Sequence, residues 1–359
     1  MDIYSLFERF TQENSFRFVE RSNLVSKYFK GEFNLSGGHS YLVPAILNPE
    51  KVKKDNISVI DLCVRKVDAQ IVGVSYEHLL LFEMGVWGGF GFIDDKKAEE
   101  YKQLSLLVEF LELCGIPRDE IYVTACEGGV FLDQEMPLDT DSVEIFKAIG
   151  INDKHIILTK GRRNFMLSRG IDRLAGYNVE FFVKRNNRFI EIASSNIYQY
   201  INKLSYLEKT VNTGIGCGVG LERIEFVTNN LESAFELPFY SNSIQKIREL
   251  MRLSKDSSDI IIDKLIRIIE LSKTLIFLLN DDQTFDNTPQ GKIMKSYFAK
   301  VISEMEFLSI PSEPLLNIIK EEMKRKYYRY QIKDDAFGIF GNRIIDLQKQ
   351  AYVREQKFK

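Results

Sequence analysis

Three stretches carry residues whose types and spacing could do chemistry. The first is CVRKV (63–67), followed after a short gap by FEM (82–84). An arginine in an apolar strand needs a partner for its charge. That partner is either an internal carboxylate, giving an ordinary salt bridge, or a ligand phosphate, which suits the planar fork of Arg65. Phe82 alone reads as core. The second stretch is NTGIGCGVGLERIEF (212–226), with glycines at 214, 216, 218 and 220 leading into Glu222 and Arg223 at the start of an apolar-periodic helix. Glycines let backbone or ligand approach closely, and the same run reads as a tight junction between helix and sheet. It contains no G-x-G-x-x-G, no Walker lysine and no acid at the dinucleotide spacing, which excludes a Rossmann or P-loop site. The third is a strand pair bearing Glu180 and Glu191. Carboxylates in otherwise apolar strands can hold Mg²⁺, grip an amine, or pair with Arg65 or Arg223.

Other chemistries are poorly served. The cysteines at 63, 114, 126 and 217 form no C-x-x-C, and the histidines at 39, 78 and 155 form no H-x-x-x-H. No Cys/His zinc site, disulfide framework or histidine-based triad is expected, and no metal-ligating residue is assigned. KRKYYRYQIK (324–333) interleaves five basic residues with three tyrosines. It reads either as a surface that lies on a phosphate backbone or as a solvated helix face. Lys plus Arg (48) against Asp plus Glu (51) gives a net charge of −3, which excludes a strongly basic nucleic-acid binder but leaves a local patch open.

The elements that must position these residues change character near residue 235. VIDLCVRKV (59–67), HLLLFEMGVW (78–87), IYVTAC (121–126) and HIILT (155–159) read as buried strands. Residues 96–116 have apolar positions at helical spacing, and another helix begins near Asp141. Residues 179–194 read as a hairpin around Asn186-Asn187, a pair that tolerates positive φ. After Leu237-Pro238 the pattern is helical: 258–279, then a helix from Thr288-Pro289 through Leu308, then one from about Leu315. A single core stops growing near 250–300 residues, so 359 residues predict two domains, 1–235 and 236–359. The fold class is α+β, a largely antiparallel sheet flanked by helices and followed by an all-helical domain. The N-terminus has charges in its first ten residues and no apolar h-region, and no stretch reaches membrane-span length. A soluble, cytoplasmic protein is expected.

Taken in order, GHSYLVPAILNP (38–49), CVR (63–65), FEM (82–84) with FGF (90–92), GIDRLAGYNVEFF (170–182), EIASSNIYQY (191–200) and GVGLERI (218–224) resemble the catalytic domain of the alanyl-tRNA synthetases, a class II synthetase family. The resemblance covers roughly 17–230 and continues faintly into 258–302, which looks like the start of that family's helical tRNA-recognition region. It implies a class II synthetase-like sheet, ATP and Mg²⁺ as cofactors, and activation of a small amino acid or related carboxylate. The acceptor would be tRNA, a carrier protein or a small molecule. It implies that Arg65 holds the α-phosphate, that Phe82 and Arg223 sandwich the adenine, and that Gly220 leaves room for the nucleotide. Glu180, Glu191, Ser194 and Asn212 are the expected substrate-side residues.

The sequence also departs from the family pattern. The family aspartate of D-T-G-M-G-L-E-R, which grips the amino group, falls on Gly216 by direct count or on Asn212 with an insertion. The tryptophan and asparagine after Glu191-Ile192 are Ala193 and Ser194, the G-P-C-G-P run is replaced by 173–177, and Glu77 matches a phosphate-binding arginine. The chain is expected to end before the family's editing and oligomerisation modules. A non-catalytic relative that binds tRNA or protein is the competing expectation.

Overall fold

The structure is a computed structural model that describes residues 2–25, 33–34, 37–38, 41, 55–75, 77–90, 93–167, 171–253 and 258–358. Most of GHSYLVPAILNP, the 91–92 end of FGF and Gly170 lie outside the described residues. The chain divides into two compact units. The first comprises Met1–Ser22, Ser36–Leu62 and Glu83–Asn230, and the second Asn23–Leu35, Cys63–Phe82 and Leu231–Lys359.

The first unit is built on a nine-stranded sheet. Its strands are β1 (Arg17–Phe18), β2 (Asp55–Val64), β3 (Leu81–Phe90), β4 (Ile121–Cys126), β7 (Ile156–Thr159), β8 (Phe165–Leu167), β9 (Arg173–Arg185), β10 (Arg188–Asn202) and β11 (Leu207–Gly220), while β5 (Gly129–Phe131) and β6 (Gln134–Met136) form a separate hairpin. The order is β1-β2-β3-β11-β10-β9-β4-β7, with β8 on β9. The β1/β2 and β4/β7 pairs are parallel; β3/β11, β11/β10, β10/β9, β9/β4 and β9/β8 are antiparallel. The sheet is mixed and mostly antiparallel, as the α+β expectation required. Its centre is the β9–β10 hairpin, where Asn186 and Asn187 take φ of 48° and 61°, the positive values a two-residue type I′ turn demands.

Helices α1 (Ile3–Glu13), α2 (Lys96–Leu113) and α3 (Thr140–Ala148) pack on one face of this sheet, each N-capped by an aspartate side chain, Asp2, Asp95 and Asp139. Odd-numbered residues of β3 point to them. Trp87 is fully buried among Phe7, Phe10 and Phe110, with ring centroids 5.3–6.0 Å apart. Phe181 meets Phe146 edge-on at 5.7 Å. Gly85 has no side chain because a Cβ there would stand 2.6 Å from the Phe7 ring. Helix α4 (Leu221–Thr228) follows β11 directly.

The second unit contains the helices α5 (Pro238–Leu250), α6 (Asp259–Asn280), α7 (Pro289–Leu308), α8 (Ser312–Lys326) and α9 (Asp334–Phe358). Thr288 caps α7 through Oγ1, 3.1 Å from the Gly291 amide, with Pro289 at the first helical position. Helix α8 starts at Ser312, earlier than the expected Leu315, because Pro314 sits in the first turn, where its missing N–H leaves no bond unmade. Helix α6 is buried from Leu265 to Asn280 except for Arg267, and it carries a buried ion pair. Lys273 and Glu270, both fully buried, lie 2.7 Å apart. Lys273 Nζ also donates to the Tyr240 hydroxyl and to the Leu81 carbonyl, each at 2.6 Å. Glu270 accepts from Tyr240 Oη at 2.6 Å and from the Leu81 amide at 2.9 Å.

The 324–333 segment is not one helix face. Helix α8 ends at Lys326 and a 3₁₀ turn covers Tyr328–Tyr330. Tyr327 is buried against Phe239 and Phe277, and Tyr330 meets Phe277 edge-on. Of the three tyrosines, Tyr328 is the exposed one.

Candidate functional site

The sheet face opposite α1–α3 carries the chemistry of the first unit. Side chains alternate along a strand, and register partners share a face. Ser194 pairs with Glu180 on one side and Gly218 on the other, Gly218 pairs with Val86, and Glu180 pairs with Thr124. One row across the sheet therefore reads Thr124, Glu180, Ser194, Gly218, Val86. The next row reads Asn178, Asn196, Gly216, Gly88. Glu191 pairs with Phe182, in the row on the other side of Glu180. Ser194 is three positions after Glu191, an odd spacing that places side chains on opposite faces of a regular strand. The β-bulge between Glu191 and Ala193 shifts the register and brings both to the same face. Strand β11 adds no side chain at 214, 216, 218 or 220, so the face is walled by β9 and β10 and floored by backbone.

The electrostatics of this face are acidic with two arginines at its margins. Glu180, with its side chain 18% exposed, is 3.4 Å from Arg163 Nε. Burial pushes its pKa above the ordinary carboxylate value, and the negative charge of Glu191 pushes it further. Arg163 also lies over the Phe182 ring at 5.6 Å. Arg223, on the first turn of α4, donates from Nη1 to the Glu191 carbonyl at 2.9 Å and lies 3.4 Å from its carboxylate. Asn164, fully buried, donates to Thr124 Oγ1 at 2.8 Å and to the Asn178 carbonyl at 2.9 Å, fixing β4 to β9 beneath the face. Asp61 accepts from the Gly38 and Ser22 amides at 2.7 and 2.6 Å, which seats the Gly37–Gly38 turn beside Val86.

In the second unit, Arg65 lies one residue beyond β2 and precedes a 3₁₀ helix, Lys66–Gln70. Its amide donates to the Leu80 carbonyl at 3.0 Å, and its guanidinium stands 5.5 Å from the centroid of the Phe82 ring. Among the described residues it makes no ion pair.

Sequence reasoning singled out Glu180, Glu191, Ser194, Gly220 and Arg223, and the first unit holds all five. Gly220 is the N-cap of α4 with φ −77°, and a Cβ there would meet the Arg223 stem at 3.5 Å, an ordinary contact. Asn212 falls in the part of β11 where β10 takes two steps and β11 takes five, and its side chain is outside the described residues. Arg65 and Phe82 belong to the second unit. Thr124, Arg163, Asn164, Asn178 and Asn196 went unnoticed. Asn178 and Asn196 lie just outside the hairpin predicted over 179–194, whose strands extend past both. Among the described residues no group of three or more His, Cys, Asp or Glu side chains is arranged to ligate a metal. Glu180 and Glu191 offer two hard oxygen donors, a set that fits Mg²⁺ carried in on a nucleotide's phosphates.

The family profile for tRNA synthetases class II (A) matches residues 3–354. The alanine–tRNA ligase of Leptospira biflexa serovar Patoc is 25% identical over 364 residues, covering 94% of this chain and 37% of that protein. The alanine–tRNA ligase of Borreliella afzelii is 26% identical over 356 residues, covering 91% of this chain and 55% of its own. The chain thus spans about half or less of the length of these curated relatives. Among solved structures, apo histidyl-tRNA synthetase of S. aureus aligns with 64% of this chain and 66% of its own, at 12% identity and a TM-score of 0.41. No helix among the described residues is long and apolar enough to cross a membrane. With a match across nearly its whole length, the chain belongs to the class II (A) tRNA synthetase family, and its distant curated relatives are of the alanyl type.

Proposed function

We propose that the protein activates a small amino acid, or a related carboxylate, with ATP and passes it to an acceptor, either tRNA or a carrier. A carboxylate oxygen of the substrate attacks the α-phosphorus. The bond from that phosphorus to the bridging oxygen breaks, and pyrophosphate leaves with the electron pair. Such a step needs positioning and charge stabilisation more than a general base, which suits a face that shows no histidine among the described residues. The observation that carries the reading is the backbone-floored face on which Glu180, Glu191 and Ser194 stand together. Arg223 is held at its edge by two contacts to Glu191. A floor to which β11 adds no side chain at its glycines admits a small ligand, and the carboxylates attract its ammonium.

In this reading Arg65 binds phosphate, and Arg223 and Phe82 bind the adenine, a stacking use of guanidinium and ring. Glu180 and Glu191 would hold the magnesium ion or the amine, and a bound ion neutralises the charge that develops on the leaving pyrophosphate. The test is amino-acid-dependent exchange of labelled pyrophosphate into ATP. Exchange is expected with wild type, with a loss of at least about 100-fold in Arg65→Ala and Arg223→Ala, the scale of removing one charge-stabilising donor. No exchange with any amino acid in the presence of Mg²⁺ defeats the proposal.

A second reading rests on Asn212 and Glu77, which replace an amine-gripping aspartate and a phosphate-binding arginine of the family pattern, and on the loss of its G-P-C-G-P run. A non-catalytic binding module needs no such groups. Calorimetry with ATP separates the two readings: binding lost in both arginine variants favours the enzyme, and no binding in wild type favours the module.

A further inference from the structure

We propose that the substrate's side chain ends in a neutral hydrogen-bonding group, a hydroxyl or a carboxamide, recognised by Asn178 and Asn196. This deepens the activation reading and rests on it. The two asparagines are register partners on adjacent strands, in the row next to Glu180 and Ser194 and on the same half-open face. Asn178 Nδ2 donates to Asn196 Oδ1 at 3.2 Å, and among the described residues neither side chain makes another hydrogen bond. Whichever way the two amides are turned, that single bond leaves a free lone pair on both carbonyl oxygens and at least one spare N–H on each side of the pair. Beside Asn196 the row continues with Gly216 and Gly88, which add no side chain of their own next to the amides.

An apolar substrate side chain laid here would cover polar groups it could not satisfy, and sites built to hydrogen-bond reject analogues that lack the group far more strongly than apolar pockets reject an extra methylene. Charge narrows the class. Glu180 is two residues along β9, about 7 Å away by strand rise, and Glu191 lies beyond it. A second carboxylate on the substrate would be repelled, whereas the ammonium would settle at the glutamates with a short neutral polar side chain reaching the asparagines.

The test measures pyrophosphate exchange, with calorimetry of direct binding in parallel, for glycine, alanine, valine, serine, threonine, asparagine, glutamine, aspartate and lysine. The expected result is a serine, threonine, asparagine or glutamine preferred over alanine by at least about 100-fold in kcat/KM. Asn196→Val and Asn178→Leu should collapse that ratio toward one, with the ATP affinity unchanged. A preference for alanine, glycine or valine in wild type overturns this inference and leaves the activation reading standing. A polar preference that survives in both folded variants also overturns it. Exchange with no amino acid defeats the activation reading and this inference with it. If either variant fails to fold, the wild-type ranking and the other variant still decide.

Discussion

Glu180 is the residue whose environment makes the sharpest prediction about the site. Burial and the neighbouring charge of Glu191 both raise its pKa above the ordinary 4.5, against the opposing pull of Arg163. A raised acid holds its proton to higher pH, so binding of an ammonium ligand should fall as pH drops through that elevated value, before ordinary surface carboxylates titrate. Removing the charge in Glu191→Gln should move this acid limb to lower pH, read from the pH profile of amino-acid affinity. A wild-type limb in the usual carboxylate range, or one that Glu191→Gln leaves in place, contradicts the coupling. Glu180 and Glu191 were legible in the sequence because a charge inside an apolar strand breaks the pattern around it, and Arg223 because it follows a glycine run at the start of an apolar-periodic helix. That the two glutamates share a face with Ser194 was not legible: strict alternation separates Glu191 from Ser194, and the bulge that reunites them has no local signature. Arg163 and Thr124 escaped for a different reason. They join the site only through the 3₁₀ turn at 161–164 and the β4–β9 pairing, which are long-range facts.

At the scale of elements, locally written features came out as read. The Asn186-Asn187 hairpin, the Thr288-Pro289 start of α7 and the periodic α6 each depend on near neighbours. The network inside α6 was hidden, since a lysine and a glutamate three apart look like a solvated pair. Its burial has a consequence for stability. Lys273→Met leaves the Glu270 carboxylate without its buried cation, and the expected loss is about 3–5 kcal/mol in denaturant unfolding. Changing both residues, Glu270→Leu with Lys273→Met, should cost less than the single lysine change. A larger loss in the double variant would show that the network is worth more than the charge it neutralises. Helix α2 offers the converse case. Glu100 is fully buried, and desolvation lifts its pKa to about 7 in spite of Lys96 at 3.4 Å. Between the ordinary carboxylate value and about 7 the folded protein keeps a proton that the unfolded chain releases. This residue therefore makes stability fall as pH rises across that window, by up to about 3 kcal/mol. Glu100→Gln should flatten that slope and leave the protein more stable than wild type at pH 8, as thermal unfolding at pH 5 and pH 8 would reveal.

Across the whole molecule the charges decide how well an RNA can be held. The chain carries a net charge of −3, and the segment richest in cations spends several of them internally. Lys320 and Lys324 both meet Asp334, at 3.0 and 2.9 Å; Lys333 meets Asp282 at 2.9 Å, and Arg325 meets Glu322. A cation held by a carboxylate displaces few counterions from a phosphate backbone, so it adds little affinity. The second unit also has a cleft of about 1210 Å³ whose lining, among the described residues, includes Glu232, Glu236, Glu249, Asp259 and Asp263 against one basic residue, Arg248, a surface that repels phosphate. Two tyrosines of the 324–333 run are engaged with Phe277, which leaves Tyr328 to stack on a base. Any tRNA binding should therefore be weak at physiological salt, near the roughly 10⁻⁴–10⁻⁶ M of non-specific association, and should be lost as salt rises from about 50 to 200 mM. Because Asp334 holds two lysines, Asp334→Asn should strengthen binding several-fold at low salt, at the cost of a small loss of α9 stability from its first turn. Tight wild-type binding that persists at about 200 mM salt would mean that the RNA is gripped by contacts other than these cations, and tRNA would then become the favoured acceptor over a carrier.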